Sequence, residues 1–278
     1  MKLVSADHYT FEELTAAYNQ TRVDYLVPMP MNVARLREYV HIYDVSLTHS
    51  WVALAEDVML GLGMLGLRNG RTWITRLGVL PSGRRRGTGQ AIMDKLLAQS
   101  EALQVPTVWL EVIKGNKPAH TLFRKCGFEE TRELIVARRP PNPNAVVDVS
   151  DRIRRVTFLD HEDAIILLSH RRARPNWLNE TESMQNVRNL SALLVELTNG
   201  GRGWVTYHAG LLQLTRIVVE VASGSPAEVA ETVLQVLHQR HRRQDAIAEN
   251  IPADDPTWPG FERAGYFDSF RRIEMVRN

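Results

Sequence analysis

The residues best equipped for chemistry are Arg84, Arg85 and Arg86, which run directly into Gly87-Thr88-Gly89. Glycines without Cβ atoms let a ligand approach the backbone closely. Unpaired N–H groups at a helix start, with the helix dipole and three cationic side chains, suit a phosphate or pyrophosphate. Further on, Glu111 is a carboxylate late in an apolar stretch, three residues before a turn at Lys114-Gly115. It is placed for proton abstraction, and a structural role is the competing reading. A water chain to another acid such as Asp44 or Glu56 is the alternative route for the proton. Asn116 can cap a short helix or contact a ligand. Cys126, the single cysteine, reads as a small buried side chain before it reads as an acid.

These side chains need a strand, a glycine-rich turn and a helix. Ile74, Thr75 and Val79 mark the strand, and Pro81-Ser82-Gly83 stops it. Ile92, Met93, Leu96, Leu97 and Leu103 form an apolar helical stripe after Gly89. No lysine follows the glycines, so this is not a G-x-x-x-x-G-K-[ST] loop. Gly61, Gly63 and Gly66 form a G-x-G-x-x-G, but the turn Leu67 to Gly70 follows where a helix is required, so the stretch reads as a strand. Upstream, the sequence predicts a strand at 1–6, a helix capped by Thr10 with Glu13 completing a capping box, and a helix at 33–43 capped by Asn32. Strands are expected at 51–55 and 58–67, joined at Glu56-Asp57. Downstream, 107–113 reads as a strand, 117–125 as a short helix and 128–137 as a strand or hairpin.

Leu77-Gly78-Val79 followed by Arg84-x-x-Gly87-x-Gly89 resembles the acyl-CoA signature of the Gcn5-related N-acetyltransferases. Leu110-Glu111-Val112, Asn116, Ala119, Leu122-Phe123 and Gly127-Phe128 resemble that family's second conserved region, in the expected order. The resemblance covers residues 1–138 and implies acetyl-CoA as co-substrate. It implies cofactor contacts at Leu77, Gly78, Val79, Arg84, Arg85, Arg86, Gly87, Thr88, Gly89, Gln90, Asn116, Ala119 and Phe123. A backbone N–H near Gly78 or Val79 would stabilise the oxyanion, and Glu111 would be the catalytic base. The family's usual tyrosine acid is Phe123 here, which cannot donate a proton. Tyr25, Met29 and Met31 lie in the loop that shapes the acceptor pocket in this family.

The chain has 278 residues, 44% hydrophobic and 24% charged, a globular composition long enough for two domains. Residues 1–140 hold 18 Lys/Arg against 14 Asp/Glu and residues 141–278 hold 16 against 18, so the halves carry +4 and −2. Neither is basic enough to suggest nucleic acid. The start lacks an apolar signal-peptide core, no apolar run reaches membrane-spanning length, and one cysteine fits a reducing compartment, so a cytoplasmic protein with no membrane partner is expected. No HExxH occurs, and His238 and His241 read as a solvated helix face, so no metal is expected.

A linker is expected at 139–150, where Arg-Pro-Pro-Asn-Pro-Asn cannot continue a sheet or helix. The remainder, 151–278, repeats the order of elements of the first half. Adding 138 to residues 111–128 superposes Glu111 on Glu249, Ile113 on Ile251, Pro118 on Pro256, Phe123 on Phe261 and Gly127 on Gly265. A strand is expected at 152–157, a helix after Asp160 and a helix at 184–197. Strands are expected at 203–207, 211–221 and 245–251, and a helix at 226–242. Trp177 and Met184 fall where the first copy has its acceptor loop. After Ser223-Gly224 the arginines and the Gly-Thr-Gly are gone, and Glu228 adds negative charge. The expectation is therefore an α/β fold, a mixed sheet flanked by helices, built as two tandem acyl-CoA N-acyltransferase-like domains. The first would acetylate a small-molecule or peptide amine, and the second would be degenerate. The chain would act as a monomer, a pseudo-dimer of its two copies, or as a homodimer. The alternative is a non-catalytic acyl-CoA-binding or regulatory module.

Overall fold

The computed structural model describes residues 1–105, 107–142 and 147–278. The middle of the expected linker, 143–146, lies outside them. Two compact units emerge: Met1–Thr131 with Ile273–Asn278, and Arg132–Arg272. The last strand of the chain thus contributes its end to the first unit, and the strand leaving the first copy contributes its end to the second.

The first unit runs β1 (Lys2–Ser5), α1 (Phe11–Gln20), α2 (Val33–Ile42), β2 (Val45–Ala55), β3 (Val58–Arg68), β4 (Arg71–Val79), α3 (Thr88–Ala102), β5 (Thr107–Ile113), α4 (Lys117–Lys125) and β6 (Glu129–Arg139). Its sheet order is β1-β2-β3-β4-β5, followed by the end of the C-terminal strand. Strands β1 to β4 pair antiparallel and β4 with β5 parallel, so the sheet is mixed. Thr10 and Glu13 form the expected reciprocal cap, which typically stabilises a helix start by about 1 kcal/mol. The β2–β3 turn places Glu56 and Asp57 both at positive φ, as a two-residue hairpin of the I′ type requires. Ile92, Met93, Leu96 and Leu97 of α3 pack on Ile74, Val108, Leu110 and Val112, with Met275 from the chain's end in the same core.

The second unit repeats the order: β7 (Ile153–Leu159), α5 (His161–Ser169), α6 (Thr181–Gln185), β8 (Leu190–Leu197), β9 (Arg202–Ala209), β10 (Gln213–Ser223), α7 (Pro226–Arg240), β11 (Asp245–Pro252), α8 (Trp258–Arg263) and β12 (Phe267–Arg277). Its sheet order is β6-β11-β10-β9-β8-β7. The helix expected at 184–197 is a short helix and then strand β8. The run Leu-Ser-Ala-Leu-Leu-Val-Glu-Leu follows the strand period closely enough to pair with β7 and β9 on both sides. Asp160 caps α5 through Asp163 as expected. His238 is not on a solvated face: it is 2% exposed, because α7 buries its whole circumference from Val229 to His238. Trp177 and Met184 are buried as well.

Candidate active site

A cleft opens in the first unit where β4 and β5 part. They pair from Arg71/Thr107 to Ile74/Leu110, then run on to Val79 and Ile113. A bulge causes the parting. The β3–β4 register shifts between Leu62/Gly78 and Met64/Thr75, with Arg76 at φ 52. Leu80 N–H donates to Leu60 C=O at 2.7 Å. Antiparallel alternation then turns the Gly78 N–H towards β3 and the Val79 N–H towards the opened side. Of the two expected oxyanion donors, Val79 is the one that faces the cleft. Gly78 is glycine for a different reason: a Cβ there would lie 2.3 Å from Thr21 Oγ1.

The arginine loop follows. Pro81–Gly83 forms a 3-10 turn, Thr88 Oγ1 donates to Gly83 C=O, and Gly87 at φ 78 precedes α3. A Cβ on Gly87 would meet open space, whereas one on Gly89 would come within 3.3 Å of Leu122 Cδ2. Gly87 thus supplies the left-handed backbone at the helix start, and Gly89 lets α3 pack close to Leu122. Arg85 and Arg86 are exposed beside the first-turn N–H groups. Arg84 is engaged: it donates to both Asp24 oxygens at 2.5 and 2.7 Å and to Val79 C=O at 3.1 Å. Its guanidinium holds the Asp24 carboxyl below the ordinary carboxylate range. Gln90 donates to Asp94 and Cys126 rather than standing free at the loop.

Glu111 lies on the face of β5 opposite the α3 core and accepts from Trp73 Nε1 at 2.9 Å. Trp73, Tyr39 and Tyr43 are buried ring against ring beside it. Tyr39 bonds Thr75 at 2.6 Å, and burial pushes its pKa up, so it stays a neutral phenol. Phe123 is 6% exposed and packs edge-on to Phe128, within the α3 core. Burial raises the Cys126 thiol. Asp44 pairs with Arg68 at 2.8 Å, and Glu56 sits in the β2–β3 turn. Asn116 caps α4 by accepting from Ala119 N–H, and its Nδ2 donates to Tyr25 Oη at 3.4 Å.

That last bond is one of several that no local pattern reveals, because the partners lie far apart in the chain. The loop after α1 is fastened over this end of the unit. Arg22 Nη2 donates to Leu77 C=O at 3.0 Å and its guanidinium lies 4.1 Å from the Tyr25 ring centroid. Asn19 bonds both backbone groups of Met31. An exposed pair such as Arg84–Asp24 is screened by solvent, so it positions the loop without locking it.

The second unit has the same parting of strands, after Leu214/Ala246, and the same bulge, with Arg216 at φ 56. Its loop is different. Only Gly224 and Ser225 separate β10 from α7. Asn199 Nδ2 donates to Glu228 in the first turn of α7, and Ser223 Oγ donates to Gly200 C=O. The 3-10 turn Trp177–Asn179 lies against β11, with Asn179 Nδ2 donating to Glu249 C=O at 2.8 Å. The Glu249 carboxylate pairs with Arg272 at 2.9 Å. The two aligned glutamates thus have different partners. Among the described residues no group of three His, Cys, Asp or Glu is placed to hold a metal.

Residues 11–128 match the model of the Acetyltransferase (GNAT) family. The ribosomal protein bS18-alanine N-acetyltransferase of Salmonella typhimurium is 29% identical over 113 residues, 41% of this chain and 65% of that protein. Its Escherichia coli counterpart is 37% identical over 54 residues, 19% of this chain and 36% of that protein. The chain therefore spans under two thirds of either relative. Several solved structures align with 99% of this chain, two of them as follows. A tandem GNAT protein from the clavulanic acid biosynthesis pathway has a TM-score of 0.71 at 13% identity, over 97% of its length. A GCN5-related N-acetyltransferase from Sphaerobacter thermophilus has a TM-score of 0.69 at 15% identity, over 93% of its length. Residues 11–128 thus resemble the GNAT family, and the chain shares the fold of a tandem GNAT protein.

Proposed function

We propose that the first unit transfers an acetyl group from acetyl-CoA to a primary amine, and that the second unit has lost cofactor binding. The observation that carries this reading is the opened β4–β5 cleft, with the Val79 N–H on one wall and the Gly87–α3 start at its end. The pyrophosphate would lie on the first-turn N–H groups of α3, beside Arg85 and Arg86. Arg84 holds the loop in shape through Asp24 and Val79.

In the reaction an ammonium has no lone pair, so Glu111 takes a proton from the acceptor, directly or through water. The neutral nitrogen attacks the thioester carbonyl. Negative charge grows on oxygen, which the Val79 N–H would stabilise. The C–S bond then breaks as the carbonyl re-forms, and the sulfur leaves as thiolate or takes a proton. Phe123 supplies none. Tyr25, whose hydroxyl bonds Asn116 at the start of α4, is the phenol we assign to that proton. Tyr25→Phe should lower turnover by about tenfold at unchanged affinity for acetyl-CoA, because a free thiol's pKa near ~8.5 makes thiolate a tolerable leaving group. The loss should shrink at high pH, where the sulfur leaves as thiolate without needing a proton. Equal turnover of Tyr25→Phe and wild type across pH would remove the phenol from the reaction.

The names of the relatives make an alanine amine of a ribosomal protein the first acceptor to test, with small amines next. Thiol release from acetyl-CoA across such a panel tests the function. An acceptor-dependent rate is expected. Tight acetyl-CoA binding with no turnover on any amine would favour an acyl-CoA-binding module, the reading to which the missing hydroxyl at Phe123 lends weight.

A further inference from the structure

The buried polar groups of the second unit include an arginine with no counter-charge. Arg139, at the end of β6 beside Ala246, is 6% exposed. Its Nε donates to Ala264 C=O at 2.8 Å, at the end of α8. Its Nη1 has no partner among the described residues. Among the described residues no carboxylate pairs with it. His238, 2% exposed, shares this region: its Nε2 bonds Tyr266 Oη at 2.9 Å and its Nδ1 is also without a partner. We assign the Tyr266 hydroxyl as the donor to Nε2, which makes the remaining ring nitrogen an N–H donor. Burial raises the Tyr266 pKa, which keeps that hydroxyl protonated. Two buried donors, one of them cationic, therefore point to a missing acceptor. An uncompensated buried charge is among the costliest features a fold can carry.

The duplication shows what is missing. The offset of 138 that relates the copies places Arg139 on Arg277, Gly265 on Gly127 and Gln239 on Glu101. In the first unit Arg277 runs alongside Gly127 and donates to Glu101 Oε1 at 3.2 Å. In the second unit Arg139 runs alongside Gly265 in the same way, but the carboxylate has become the amide of Gln239, which is turned to Val147 C=O. One copy carries its own anion and the other has lost it while burying the arginine more deeply.

We propose that the second unit binds a small monovalent anion of the halide class between Arg139 Nη1 and His238 Nδ1, in place of the carboxylate that Glu101 supplies in the first unit. The anion joins β6 to the last turn of α7 and makes the unit's stability depend on halide. This inference is independent of the acetyl-transfer reading.

Crystals of the full chain grown in bromide should show an anomalous peak within hydrogen-bond distance of both atoms. The peak should vanish in Arg139→Met and in Gln239→Glu, the latter because it restores an internal carboxylate. Wild-type melting in chloride should exceed that in gluconate at equal ionic strength by about 3–5 °C, as expected near tenfold saturation of such a site. Gln239→Glu should melt alike in both. If Arg139→Met does not fold, Gln239→Glu alone decides. Water without bromide at Arg139, halide-independent melting of the wild type, or bromide that persists in Gln239→Glu would each overturn the assignment.

Discussion

Glu111→Gln is expected to lower turnover by about 10²–10⁴ at saturating acceptor, the range for loss of a positioned base and equivalent to roughly 3–5 kcal/mol of barrier. The amide keeps the shape and can still accept from Trp73 Nε1, so the local packing around Tyr39 and Tyr43 should hold. Affinity for acetyl-CoA should change little, because Glu111 lies on β5, well separated in sequence and element from the loop at the start of α3. The loss should shrink as pH rises and more of the amine is already neutral. A variant within about twofold of wild type at every pH would leave Glu111 a structural residue. Asp44 would be a weak substitute in that event, since it is engaged with Arg68.

Gly87→Glu is expected to weaken acetyl-CoA binding by more than about 100-fold, because it places a carboxylate where the pyrophosphate needs positive potential. The chain should remain folded. A Cβ at Gly87 meets nothing within 4 Å, and the cost of a left-handed non-glycine residue is about 1–2 kcal/mol. Gly87→Ala carries the same backbone strain without the charge and should bind nearly as the wild type does. That pair of variants separates electrostatics from conformation. Gly89→Glu is a poorer probe, because its side chain would first collide with Leu122. A folded Gly87→Glu that binds as tightly as Gly87→Ala would mean that the phosphates lie elsewhere.

Much of this was legible along the chain. The capping box at Thr10, the strand–loop–helix around Gly87 and the repeat relating Glu111 to Glu249 each rest on short-range pattern, and each has its place in the fold. The helix expected at 184–197 became strand β8 because two neighbouring strands were available to pair with it, which no local window reveals. His238 looked exposed because arginines surround it in sequence, yet α7 is buried all round. The pairs Arg84–Asp24, Trp73–Glu111 and Asn116–Tyr25 join residues 38 to 91 positions apart, so only the fold brings them together. Phe123 carries a further lesson. Its ring is part of the α3 core, so Phe123→Tyr would have to bury a hydroxyl there before it could reach a sulfur.

The proposal is one working cofactor site per chain, in the first unit, and a second unit in which the loop before α7 is shorter and Glu228 adds a carboxylate to the first turn of that helix. Calorimetric titration of the full chain with acetyl-CoA tests this most directly. It should give one site per chain, and none in Gly87→Glu. Two sites per chain, or one that survives intact in Gly87→Glu, would contradict it.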